Sequence, residues 1–285
     1  MHGEVQPLER RQLCAANTGD VIPDHISLLE VQGPQGDTFV RVDTVYLSGS
    51  DWAPAFMRYL GDISPGSGSD AYGVLAWTAE GTMPLAPWIN VDRISIRFRA
   101  FGGRTLVERE DLAVSGVNRP AYAFSGFRYD ADTDTATWAL DRPVANDRLL
   151  LDLNGDPPDG VREGVEGNYL GDFLQGGDFR LRLDILGGDA ARDGQVNALD
   201  LATIKGRLNR STTNPGDGTV NPYSILRDVT ADGRINALDM AAVKQRLNTR
   251  LPDGEPGAVG AASDPPVLKP SFPTRELFGS EPILA

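Results

Sequence analysis

Six aspartates stand in two sets of three with the same spacing. The run Asp189-Ala190-Ala191-Arg192-Asp193-Gly194-Gln195-Val196-Asn197-Ala198-Leu199-Asp200 recurs 39 residues later as Asp228-Val229-Thr230-Ala231-Asp232-Gly233-Arg234-Ile235-Asn236-Ala237-Leu238-Asp239. Each run places carboxylates at positions 1, 5 and 12 and glycine at position 6. An all-oxygen donor set at this spacing suits a hard divalent cation, and Ca2+ takes about 6–8 oxygens. Asp189 and Asp193, like Asp228 and Asp232, offer short carboxylates from one tight turn. Gly194 and Gly233 allow the left-handed backbone that lets the chain wrap an ion. Position 7, Gln195 or Arg234, contributes its backbone carbonyl, so its side chain is free to vary. Asn197 and Asn236 at position 9 belong to the candidate set. Asp200 and Asp239 close each shell, and their charge suits the start of a helix.

The elements around these runs must hold them in place. Val196 and Ile235 are apolar and β-branched, and are expected to pair the two loops with each other through a short strand contact. After each loop comes a helix, with Leu201, Ile204 and Leu208 in the first and Met240, Val243 and Leu247 in the second at i, i+3, i+7. The spacing is that of an EF-hand loop, with two departures. Position 12 is Asp rather than the longer Glu. Position 3 is Ala191, which has no ligand atom, or Thr230, which has a hydroxyl, so the first loop is expected to bind more weakly. No helix precedes either loop; before Asp189 stand the strand-like Phe179–Ile185 and Gly187-Gly188. Loop then helix, twice, without an entering helix, resembles a type I dockerin domain over residues 187–252.

That resemblance implies two calcium ions and calcium-dependent docking on a cohesin-like protein module. It carries the family's contact positions onto Ala198, Leu199 and Lys205, and by the repeat onto Ala237, Leu238 and Lys244. Here loop positions 10 and 11, often hydroxylated in cellulosomal dockerins, are Ala-Leu, an apolar pair that fits a partner other than a standard cellulosomal cohesin. The near identity of the copies implies a pseudo-two-fold module able to bind in two orientations. The alternative for Leu199 and Leu238 is that they fill the small core between the helices. Chelation of calcium is expected to unfold 187–252 and to spare the preceding module.

Residues 37–186 read as strands. Thr38–Leu47 is rich in β-branched and aromatic types, and Arg93–Ala100 alternates strictly, with Ile94, Ile96 and Phe98 on one face. Phe127–Tyr129 and Thr135–Leu140 flank a polar turn and read as a hairpin. Arg148–Leu153 and Phe179–Ile185 complete the set. Asp51–Leu60 reads as a short strand or a helical turn. Short strands punctuated by Gly, Pro and Asp predict an antiparallel β-sandwich. Trp88-Ile89-Asn90-Val91-Asp92-Arg93-Ile94 and Glu166-Gly167-Asn168-Tyr169-Leu170 resemble bacterial Ig-like modules of exported proteins. The fold class expected is therefore mainly β: an Ig-like antiparallel sandwich followed by a small α-helical dockerin module.

Other acids and aromatics admit rival chemistry. Glu108, Glu110 and Asp111 raise a polysaccharide-active enzyme with its site in 37–186, since glycosidases use two carboxylates about 5–9.5 Å apart; an acidic turn is the plainer expectation. Asp130, Asp132 and Asp134 read as a solvated turn rather than a further calcium site. Trp52, Trp77, Trp88 and Trp138 admit a carbohydrate-stacking platform, but core positions are expected. Asp217, between the repeats, reads as a turn residue.

Composition excludes more than it assigns. The chain has 285 residues, 40 acids against 27 bases, a net charge of −13, one cysteine and two histidines. Nucleic acid is a poor partner for so acidic a chain. Cys14 has no second cysteine to pair with. With only His2 and His25, a His- or Cys-rich zinc site or a histidine-based triad is not expected. No apolar run is long enough for a membrane span. Residues 1–36 read as an irregular leading segment without the apolar stretch of a secretory signal; Leu8-Glu9-Arg10-Arg11-Gln12-Leu13-Cys14-Ala15-Ala16 resembles a short motif near the start of large exported bacterial surface proteins. Residues 253–285 are a Pro-rich tail. The expectation is a secreted or cell-surface, non-catalytic attachment protein in an extracellular assembly of the polysaccharide-degrading or surface type. A purely structural, calcium-stapled surface protein is the other alternative.

Overall fold

The computed structural model describes residues 40–62, 67–100, 104–164, 168–171, 177–216, 218 and 220–257. These belong to one compact unit. The residues from 1 to 39, Glu166-Gly167, Asp217 and the tail from 258 onward lie outside the described residues, as do the readings made of them.

Eight longer strands build two antiparallel sheets. They are β1 (Arg41–Ser48), β2 (Gly73–Thr78), β3 (Val91–Arg99), β4 (Leu112–Gly116), β5 (Phe124–Asp130), β6 (Thr135–Val144), β7 (Asn146–Leu153) and β8 (Phe179–Leu186). The larger sheet runs β2-β1-β3-β6-β5, extended beyond β2 by the short strand Gly68–Ser69, with Gly81–Thr82 also pairing β2. The smaller sheet runs β8-β7-β4. Period-2 alternation fixes which face turns inward. On β3, Ile94, Ile96 and Phe98 are buried, and Val45 of β1 and Ala136 of β6 lie on either side of Ile96. Leu149, Leu151 and Leu153 of β7 face them from the other sheet, and both sets join one core. The expected hairpin is β5–β6, registered from Asp130↔Thr135 to Phe127↔Trp138 and beyond.

Three helices complete the architecture: α1 (Pro54–Asp62), α2 (Ala198–Lys205) and α3 (Ala237–Gln245). The Asp51–Leu60 stretch resolves as α1, with Pro54 in the first turn, where its missing N–H costs nothing. Phe56 and Leu60, four apart, bury one face of α1 in the sandwich core. The rest of the C-terminal region has its own core of Val196, Ile204, Val229, Ile235, Ala242 and Val243.

The two cores meet. Leu85 and Leu186 of the β region belong to the C-terminal core, and Ala231 of the second repeat belongs to the sandwich core. Backbone bonds cross the junction: Ala53 N–H donates to the Ala231 carbonyl at 2.9 Å, Ile89 N–H to Val229 at 2.9 Å and Gly188 N–H to Pro87 at 2.8 Å. The Trp88 indole N–H donates to the Ile225 carbonyl at 3.0 Å. Tyr59 of α1 meets Tyr223 edge to face at 4.9 Å. These contacts close off backbone polar groups that would otherwise be buried without partners.

Candidate metal centre and docking face

Each 12-residue run forms a loop that leads into a helix. Asn197 and Asn236 are the N-caps, accepting from Leu199 N–H at 2.7 Å and Leu238 N–H at 2.6 Å. Asp200 and Asp239 answer three residues on, accepting from the Asn197 and Asn236 N–H groups at 2.7 and 2.8 Å. This is a capping box with the acid in the first turn. It aims one oxygen of each closing aspartate back across its loop, toward the N–H of Ala191 or Thr230.

The first aspartate of each loop is held the same way. Asp189 accepts from Asp193 and Gly194 N–H at 3.1 and 2.7 Å. Asp228 accepts from Asp232 and Gly233 N–H at 3.1 and 2.8 Å. Gly194 and Gly233 have φ of +84° and +85°, the left-handed backbone expected of them. Position 4 is left-handed too, at Arg192 (+61°) and Ala231 (+54°). Gln195 and Arg234 point their side chains to solvent, which leaves only their carbonyls for the loop. The Thr230 hydroxyl donates to Asp239 at 3.0 Å.

Val196 and Ile235 do not pair with each other. Val196 exchanges backbone bonds with Asn248 and Thr249, and Ile235 accepts from Asn209 and registers with Arg210. Each loop is thus zipped to the chain that follows the opposite helix, which ties the repeats together crosswise.

The second loop gathers its acids most closely. One carboxylate oxygen from each of Asp228, Asp232 and Asp239 lies within 4.8 Å of the others, and among the described residues this is the trio that closes so tightly. Asp189, Asp200, Asp228 and Asp239 are all fully buried, and none makes an ion pair among the described residues. Burial pushes the Asp228 carboxyl up to about 7, helped by the nearby Asp239 and Asp232 carboxylates and opposed by the Tyr223 hydroxyl, which donates at 2.6 Å. Burial also raises Asp239, and it lifts Asp189 to about 6 with a smaller contribution from Asp200. Buried acids crowded together without a basic partner fit a cation, and the all-oxygen donors fit a hard one.

A pH dependence follows. Without metal, an acid whose folded pKa lies above its ordinary value binds protons more tightly when folded. Its contribution to stability therefore falls as pH rises from about 4 toward 7. With calcium, these protons must leave, so affinity should drop roughly tenfold per pH unit below about 7 at the loop of Asp228 and below about 6 at that of Asp189 for each proton displaced. Calorimetric calcium titrations at pH 8, 7 and 6 check this, and a flat profile would count against these carboxylates as ligands.

The six residues expected to contact a partner lie on the surface. Ala198, Leu199, Lys205, Ala237, Leu238 and Lys244 are all exposed. Leu199 is 51% and Leu238 60% exposed, so they do not fill the core between the helices; Ile204 and Val243, both fully buried, do.

The rival sites in the sandwich are engaged in structure. Asp111 accepts from the Glu108 N–H in a capping box, while Glu108 and Glu110 are exposed. Asp130 takes the Tyr72 hydroxyl, and Asp134 takes the Tyr129 and Thr105 hydroxyls. Trp52, Trp88 and Trp138 are core residues, and Trp77 packs on Phe179 at the rim.

The two loop–helix units form a duplicated module, and the second of them closes three carboxylates into a set suited to a hard cation. The family model of the dockerin type I domain matches residues 187–248 and 226–260, so the chain carries a type I dockerin domain in its C-terminal region. A comparison with curated proteins returns no match. Dockerins are calcium-dependent, non-catalytic modules for assembly on cohesin-type partners. The β-rich region before it is consistent with an Ig-like module. No helix among the described residues is long and apolar enough to cross a membrane.

Proposed function

We propose that the chain is a non-catalytic attachment protein. Its dockerin, residues 187–252, holds two calcium ions and docks on a cohesin-like module. The sandwich, 37–186, is a spacer or carbohydrate-facing unit of an extracellular or cell-surface assembly of the polysaccharide-degrading or surface type. The observation that carries this reading is the pair of leucines, Leu199 and Leu238, exposed at equivalent starts of α2 and α3. Exposed aliphatic side chains at repeat-related positions, each beside a lysine one to two turns on, favour an apolar protein surface with a polar rim.

Binding to a panel of cohesin modules, with calcium and with EGTA, tests it. Arginine at both leucines should weaken binding about 100-fold, the effect of removing a side chain that anchors the centre of an interface. A single substitution should cost only about twofold, because the other repeat presents the same face; two equivalent orientations differ from one by RT ln 2. Calcium-independent binding, or binding indifferent to the double substitution, would refute the reading. A second reading, in which the loops staple the fold and recruit nothing, draws support from the packing of Ala231 into the sandwich core. Absence of any calcium-sensitive partner would favour it.

A further inference from the structure

The first aspartates of the two loops differ in what reaches them from outside. Asp189 Oδ1 accepts from the Asp193 N–H and its Oδ2 from the Gly194 N–H, and among the described residues no side chain donates to either oxygen. Asp228 repeats both bonds and adds a further donor, the Tyr223 hydroxyl, 2.6 Å from Oδ2. That oxygen thus takes two donors, the Gly233 N–H and the phenol. Oδ1 takes the Asp232 N–H at 3.1 Å and lies 3.5 Å from the Thr230 hydroxyl, whose proton has a nearer acceptor in Asp239 at 3.0 Å. Oδ1 is therefore the oxygen of Asp228 with capacity left for an ion. Tyr223 is itself fixed. It is buried in the C-terminal core, its N–H donates to the Pro215 carbonyl at 2.7 Å, and Tyr59 of α1 meets its ring edge to face at 4.9 Å. α1 turns Phe56 and Leu60 into the sandwich core and Tyr59 onto the C-terminal one. In the first repeat the residue at the place of Tyr223 is Asp184, inside β8, so no phenol stands there.

We propose that the Tyr223 hydroxyl is a positioning group for the second calcium site: from outside the loop it fixes the Asp228 carboxylate with Oδ1 left for the ion, and Tyr59 of α1 holds the phenol in place. This role rests on the calcium reading of the loops, and it makes the two sites unequal. A carboxylate oxygen held by one N–H leaves the group free to turn about its Cβ–Cγ bond. A second donor on the same oxygen removes that freedom before the ion arrives, so less ordering remains to be done on binding. The bond is also a strong one, because a hydroxyl donating to a buried carboxylate is charge-assisted and its loss leaves a buried oxygen short of a donor. In the first loop the opening carboxylate is oriented by loop N–H groups alone. In the second, a side chain outside the loop shares that task, and the sandwich backs it through α1.

Calorimetric calcium titration of the whole chain tests this in two backgrounds. Asp189→Ala leaves the second site to be read alone, and Asp228→Ala the first. Tyr223→Phe keeps the ring against Tyr59 and removes only the hydroxyl. In the Asp189→Ala background it should weaken calcium binding about tenfold or more, the cost of losing a group that orients a metal ligand. In the Asp228→Ala background it should change affinity by no more than about twofold, as expected of independent sites. Tyr59→Leu, which leaves the hydroxyl but takes away its wall, should weaken the second site severalfold and spare the first. The carbon NMR resonance of Tyr223 Cζ, identified by its absence in Tyr223→Phe, should shift saturably with calcium in the Asp189→Ala chain, in step with the heat. Equal losses in both backgrounds would make Tyr223 a packing residue, and a second site that binds calcium but ignores Tyr223→Phe would remove its role; either result overturns the proposal. No calcium heat at all in the Asp189→Ala chain would overturn the calcium reading of the second loop and this role with it.

Discussion

Replacing Asp228 by alanine is expected to lower the calcium stoichiometry by one of the two proposed ions and to remove most of the calcium-dependent change in tryptophan emission. Asp189→Ala should remove one ion and leave most of that optical change. Asp228 is fully buried and belongs to the carboxylate trio that closes to within 4.8 Å. The chain leading into its loop is bonded to the tryptophan core, through Trp88 to Ile225 and through Ile89 to Val229. Trp52 and Trp88 stand 5.9 Å apart, so disorder in this loop reaches two of the chain's four tryptophans. With Asp228 gone, only the loop with Ala191 at position 3 remains. Chelation should accordingly lower the thermal transition of the sandwich as well as that of the dockerin, rather than unfold 187–252 alone. Calorimetry with parallel fluorescence decides: an emission spectrum indifferent to calcium would show that the junction does not depend on the ion.

Ala231→Arg should be the most damaging single change at the junction, costing about 3 kcal/mol or more. The site is fully buried in the sandwich core and its carbonyl accepts from Ala53. Arginine there overpacks the core and pushes a charged group in among apolar side chains. The reciprocal change, Arg192→Ala, lies on an exposed loop and should alter stability by no more than about 0.5 kcal/mol. Both positions are left-handed at similar φ, so backbone strain does not separate them and the difference isolates the surroundings. Denaturant melts of the pair measure it. Equal effects would mean that the second loop is not seated against the sandwich.

Much of the loop geometry is legible in the residues because a turn that gathers carboxylates demands particular types at particular spacings. Aspartates at 1, 5 and 12 and a glycine at 6 repeat without variation, whereas Asn197 and Asn236, expected in the donor set, turn their side-chain oxygens to capping the helices that follow. The alternation of Ile94, Ile96 and Phe98 likewise shows which face of β3 turns inward. Other features carry no such signature. β2 is a short apolar run beside glycines, and β4 spans five residues; neither offers enough alternation to stand out. The pairing partner of Val196 lies beyond the opposite helix, a non-local choice that a β-branched side chain does not encode. Ala231 is the extreme case. An alanine in a loop looks inert, and its burial depends on a surface some 180 residues earlier in the chain, around Ala53.

The passage from β8 into the first loop has mechanical meaning. Leu186 ends the strand and Asp189 opens the loop, with only two glycines between, and both are pinned by backbone bonds to Ala145 and Pro87. Tension applied through a docked partner would thus enter the sheet along the strand axis and across the bonds at Val229 and Ala231, with no slack tether to stretch first. The module would aim its load at a set angle, as a bracket does.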